Sequence, residues 1–220
     1  MGTAVLRTQI RNSLGARFGI DFTIREKNAP ESLPTGIANI DIPRGTLTEI
    51  CGPPSSGRTS ILHAALARAT RNPEFCALID AGNSFDPLSA RNAGVQLPHL
   101  LWVRCGGNAE KALKATDLII QAGGFGVAAL DLAGVTPRDA RRISLASWFR
   151  LRHAVEKTPT ALILIGDERY AASCSTLQIE SRSTGFQITD DLLQCLAVNA
   201  AIGPRNRATT AFALKPLYRK

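Results

Sequence analysis

Residues 46–70 read TLTEICGPPSSGRTSILHAALARAT. An apolar run, TLTEIC, enters a glycine-rich turn, GPPSSGRTS at 52–60, and a helical run follows with Ile61, Leu62, Ala65 and Leu66 directed inward. Four residues separate Gly52 from Gly57, and a cation, Arg58, and a hydroxyl, Thr59, come next. That is the spacing of a phosphate-binding loop. In such a strand, turn and helix the backbone N–H groups of the turn surround phosphate oxygens, and the helix N-terminus adds partial positive charge. Ser55, Ser56 and Ser60 belong to the same polar loop, and Thr59 is placed to ligate Mg²⁺. The cation should be lysine. A guanidinium is longer and planar, a poor replacement for a compact ammonium among phosphates. The competing reading is a tight turn that binds nothing. The agreement of strand, motif and helix favours the anion site.

Outward from this loop, short apolar runs alternate with helical ones. FCALID (75–80), LLWVR (100–104), GVAALDL (126–132) and ALILIG (161–166) read as buried strands. NAEKALKATDLIIQAG reads as a helix capped by Asn108, and a long basic helix is expected over 137–156. This alternation implies crossover units, hence an α/β fold with a mostly parallel central sheet flanked by helices. Near the end, STLQIESRS, LLQCLAVNA and TTAFALK follow one another without helices between them, so antiparallel strands should extend the sheet. Ahead of the core, Leu6, Ile10 and Leu14 form a helical stripe and FTIRE suits a short strand, together an N-terminal arm over 1–27. Residues 28–45 carry three prolines and read as a linker, with the core at 46–220.

The chain has 220 residues, 45% of them hydrophobic, which suits one large globular domain with a short arm. Its net charge of +8 suits either nucleic acid or an acidic protein surface as partner. Five scattered cysteines with no CxxC pair read as reduced thiols, and His63, His99 and His153 suggest no metal site. No apolar run reaches membrane-span length and the start has no signal-peptide core, so a cytoplasmic protein is expected. RDARRISLASWFRLRH places Arg138, Arg141, Arg142, Arg150 and Arg152 beside Trp148 and Phe149. A solvated face with Trp148 in the core is favoured over a phosphate-tracking patch with an aromatic anchor. The tail from 192 adds Arg205, Arg207, Lys215, Arg219 and Lys220, a basic surface or simple solvation.

LIDAGNSFDPLSARNAGV (78–95), taken with LPTGIANIDIPRG, the glycine-rich loop, LLWVRCGG and GVAALDLAGVTP, resembles the ATPase core of the RecA family, and LAVNAAIGPRNRATTAFAL resembles its closing strands. The resemblance implies a RecA-like fold that binds ATP and Mg²⁺. It assigns Asp131 as the magnesium-side aspartate beside Thr59 and keeps Asp86 in the nucleotide site. It also marks departures. Gly82 stands where the family's water-activating glutamate follows the strand, Ser89 stands where an aromatic packs on adenine, and Asp167 stands near the usual γ-phosphate-sensing glutamine. The two DNA-contacting loops are cut back. Compact RecA-like proteins of this kind are similar to the ImuA family of bacterial mutagenic-repair cassettes. That likeness implies an accessory role in the SOS response and translesion synthesis, with RecA and lesion-bypass polymerase components as partners; Gly82 and Arg58 lead to an expectation of little or no ATP hydrolysis, the shortened loops to weak or indirect DNA contact, and a homo-oligomer is a further candidate assembly. The alternatives are a division inhibitor like those of the SulA family, and an active DNA-dependent ATPase.

Overall fold

The computed structural model describes residues 32–37, 39–189, 192–203 and 208–214. The expected arm at 1–27 and the basic residues Arg205, Arg207, Lys215, Arg219 and Lys220 lie outside them. Among the described residues, ten strands and five α-helices follow in order: β1 (Ser32–Ile37), β2 (Ile40–Pro43), β3 (Leu47–Cys51), α1 (Arg58–Arg71), β4 (Cys76–Asp80), α2 (Pro87–Asn92), β5 (Leu100–Arg104), α3 (Ala109–Ala122), β6 (Val127–Asp131), α4 (Pro137–Ala140), α5 (Leu145–Val155), β7 (Ala161–Gly166), β8 (Leu177–Thr189), β9 (Leu192–Ile202) and β10 (Ala208–Leu214). Eight strands form one sheet in the order β10-β9-β8-β3-β7-β6-β4-β5. The six from β8 to β5 run parallel, β9 pairs antiparallel with β8, and β10 pairs antiparallel with β9. This is the α/β architecture expected from the sequence, closing strands included.

The central strands are apolar on both faces because both faces are covered. Ile50, Leu78, Ala129, Ile163 and Ile165 pack toward α1, with Ile61, Leu62, Ala65 and Leu66 opposite them. Leu47, Ile79, Leu130, Leu162 and Leu164 pack toward α3 and α5, against Leu113, Ile120, Trp148 and Leu151. Burying whole side chains on two faces supplies most of the drive to fold, about 1.5–3 kcal/mol for each large one.

Two local expectations are corrected. Over 32–43 the expected linker is a β-hairpin, β1 antiparallel to β2, with Leu33, Ile40 and Ile42 fully buried beside α1. Its prolines lie where a two-stranded ribbon tolerates them, at its edges and ends. The hairpin is anchored by Arg44, whose Nη2 donates to Glu74 Oε1 at 2.9 Å and Oε2 at 3.0 Å, while Nη1 donates to the Gly126 carbonyl at 3.1 Å. Both side chains of that ion pair are more than nine-tenths buried. A Cβ at Gly126 would reach within 2.9 Å of Glu74 Cδ, so only glycine lets the carboxylate in.

The basic helix expected over 137–156 is two helices. Thr136 caps α4 by accepting from Asp139 N at 3.2 Å, and Ser144 caps α5 by accepting from Ser147 N at 3.2 Å. A serine that bonds its own backbone two or three residues on starts a helix better than it continues one.

Candidate functional site

The glycine-rich loop leaves the carboxyl end of β3 and turns into α1. Gly57 sits at the helix start with φ 89°, a left-handed conformation that glycine adopts without a Cβ penalty. Gly52, Ser55 and Ser56 lie in the loop before Gly57, and Arg58, Thr59 and Ser60 open α1. Thr59 is exposed and Arg58 is buried.

Arg58 folds back under its own loop. Its Nη1 donates to the carbonyl of Gly52 and, at 3.2 Å, to the carbonyl of Gly166 at the end of β7, and it forms an ion pair with Asp167. Ser56 Oγ lies 3.1 Å from Ser181 Oγ on β8, and Ser181 Oγ also donates to the Cys51 carbonyl at 3.3 Å. A Cβ at Gly52 would meet Ser56 Oγ at 2.6 Å and Ser181 Oγ at 3.0 Å, so β8 forms a wall directly behind the loop. Sequence reasoning missed Ser181. It stands 125 residues from Ser56 in an ordinary strand, and no local signal marks it.

Asp131 ends β6, two strands from β3. Its Oδ1 accepts from Ala133 N at 2.8 Å and its Oδ2 from Ser84 Oγ at 3.3 Å. Burial pushes its carboxyl above the ordinary range; the Ala133 N–H opposes this, Asp80 adds to it, and the Arg58 charge opposes it. Asp80, at the end of β4, is already committed to Ser84 N at 2.9 Å, Phe85 N at 3.2 Å and Trp102 Nε1 at 3.1 Å. Asp86 lies apart from this group. It caps α2, accepting from Leu88 N at 3.2 Å and Ser89 N at 3.0 Å, and the Ser89 hydroxyl first and then these N–H groups hold its carboxyl below the usual range. The loop and Asp131 are therefore brought together, Asp86 is engaged in a helix start, and Ser89 bonds back to Asp86.

Gly82 follows β4 and is pressed against the strand end beside it. A Cβ there would fall on the Ala133 carbonyl oxygen and within 2.8 Å of both Gly134 Cα and C. These obstacles are backbone, so a side chain at 82 requires the two loops to separate.

A magnesium nucleotide needs a cation facing the cradle, a carboxylate free for the metal's shell and a loop open on its concave side. Here the cation faces carbonyls and an aspartate, the buried carboxylates are bonded to N–H and hydroxyl donors, and β8 backs the loop. The residues as arranged do not fit that group, and among the described residues no cluster of three metal-ligating side chains exists.

The basic helices are largely self-neutralised. Arg141 is bidentate on Glu168 at 2.6–3.0 Å, Arg152 pairs with Glu156 at 2.9 Å, and Arg142 lies 3.6 Å from Asp139. Trp148 is 1% exposed and lies in the core, as favoured from the sequence, whereas Leu145 and Phe149 are exposed on successive turns of α5.

The RecA N-terminal domain family model matches residues 7–146. The chain is 38% identical to protein RecA of Brucella anthropi over 124 residues, covering 51% of this chain and 34% of that protein. It is likewise 38% identical to protein RecA of Bartonella quintana over 116 residues, covering 49% and 33%. These matches span about a third of the length of those curated relatives. Among solved structures the fold is similar to that of the RadB recombinase, with a TM-score of 0.61 and 11% identity over 83% of this chain and 95% of that one. At that identity the likeness speaks for the fold alone.

Proposed function

The chain belongs to the RecA N-terminal domain family, and from that premise we propose that it is a RecA-like accessory protein of the DNA-damage response that acts by contacts with other proteins and not by turning over ATP. The carrying observation is Gly82. A RecA-type ATPase places a glutamate there to activate water, and in this chain the Ala133 carbonyl occupies the space its Cβ would need. Losing a general base commonly costs about 10²–10⁴ in rate.

Three further features support protein contact as the mode of action. The connection between β7 and β8 is ten residues, 167–176, too short for a long DNA-contacting loop. On and between α4 and α5, Arg141, Arg142 and Arg152 pair with acids, three of the five arginines at 138–152, which leaves no continuous track for a phosphate backbone. The sequence also offers the apolar stripe Leu6, Ile10 and Leu14 ahead of the core, suited to a partner's surface. The partners in this reading are RecA itself and lesion-bypass polymerase components, as in ImuA-type cassettes.

The test is a pair of measurements on the whole chain: steady-state ATP turnover with and without single-stranded DNA, and binding to RecA. Turnover at the background rate together with RecA binding that Leu6→Asp/Ile10→Asp abolishes is the expected result. Turnover comparable to an ordinary RecA-family ATPase overturns the reading.

A further inference from the structure

We propose that Asp167 is the resident anion of the phosphate loop: the chain brings its own carboxylate to Arg58, and this internal ion pair holds the loop in place of a nucleotide. The inference deepens the accessory reading, because it explains how a non-hydrolysing core keeps its central loop ordered without ligand.

The charge balance points to Asp167. A guanidinium stays charged at any accessible pH and is costly to bury without an anion. The Arg58 side chain is 9% exposed. Its donors to Gly52 and Gly166 reach neutral carbonyls, which orient it and leave the charge unbalanced. Of the carboxylates near the strand ends that surround it, Glu168 pairs with Arg141, and Glu180 with Arg169 and Arg182. Asp80 already accepts three hydrogen bonds. Asp131 accepts two and is driven toward its neutral form by burial. Asp167 Oδ1 makes no hydrogen bond and lies in ion-pair contact with Arg58 Nη1. Of these carboxylates, Asp167 is the one in ion-pair contact with Arg58.

The geometry then makes the loop self-sufficient. Arg58 begins α1 and Asp167 follows β7, so the pair ties the helix to the neighbouring strand end. Ser56 and Ser181 tie the other side of the loop to β8. A triphosphate entering this loop must separate Arg58 from Asp167 and then face the freed carboxylate at short range, a like-charge contact. Arginine and aspartate are each unfavourable for phosphate at these positions, and together they cancel.

The experiment compares the parent chain with Asp167→Gln, Arg58→Lys and the double variant Arg58→Lys/Asp167→Gln. Thermal shift and calorimetric titration use Mg-ATP, Mg-ADP and inorganic triphosphate, with circular dichroism as the check on folding. The parent should give no ligand-dependent shift at about 1 mM nucleotide. The double variant should bind at least tenfold more tightly, with a shift that grows with concentration. Arg58→Lys alone should stay closed to nucleotide, because the shorter cation still faces Asp167. A parent that binds as tightly as a folded double variant overturns the proposal, and so does a folded double variant that binds no better than the parent. If Asp167→Gln and the double variant both fail to fold while Arg58→Lys folds, the loop's need for that anion is supported directly, because only the variants without the carboxylate fail. Binding without turnover by the parent sinks this proposal alone, whereas ATP turnover by the parent sinks the accessory reading.

Discussion

His63 lies on α1 with its Nε2 buried and unpartnered, edge-on to the Phe85 ring at 6.0 Å. Burial pushes its pKa below the ordinary 6.5, and the charge of Asp86 opposes the shift only in part. The unfolded chain therefore takes up a proton below 6.5 that the folded chain resists. This contribution to stability is intact above 6.5 and declines as the pH falls from 6.5 through the lowered folded value. His63→Leu should flatten that decline and leave the fold at least as stable at neutral pH. Urea melts of both proteins between neutral and mildly acidic pH read it directly, and parallel slopes for the two would assign the acid loss elsewhere. The same residue scale shows where sequence reading stops. Arg58 is visible as an anomaly in a familiar spacing, but its orientation is decided by Asp167 and Gly166, more than a hundred residues away. Gly82 is visible as a missing carboxylate, yet that it is sterically required emerges only from the carbonyl of Ala133.

At the scale of elements, the central strands were legible because their apolar runs have the length and punctuation of strands buried on two faces, and α3 because Asn108 announces its start, accepting from Lys111 N at 2.9 Å. The β1–β2 hairpin was illegible. Its prolines resemble linker punctuation, and its burial depends on α1, which no local window contains. The break between α4 and α5 is hidden in the sequence because the apolar spacing continues across Ser144. The hairpin carries its own prediction. Glu74→Ala leaves the Arg44 guanidinium buried without its anion, and removing one partner of such a pair costs about 3–5 kcal/mol. Chemical denaturation should show a loss of that size with an unchanged slope. A loss below about 1 kcal/mol would mean that Arg44 finds water or another partner in the variant.

Across the whole molecule, a net charge of +8 invites the expectation of a DNA binder, and among the described residues the pairing of cations around α4 and α5 argues otherwise. Arg141, Arg142 and Arg152 each face an acid, and Leu145 and Phe149 stand exposed among them. Fluorescence anisotropy with a single-stranded oligonucleotide should show only weak association at low salt that fades at physiological salt. The slope of log affinity against log salt should correspond to few phosphate contacts, at about 0.7 per contact. A steep slope with tight binding at physiological salt would return the chain to the class of direct DNA binders. The close approach of residue 82 to residues 133 and 134 also has a historical consequence. A chain that lost a side chain at 82 and then let its backbone settle into the space cannot regain one by a single codon change, because the restored glutamate would first have to unpack two strand ends. The descent into this geometry is a ratchet, open in one direction and closed in the other.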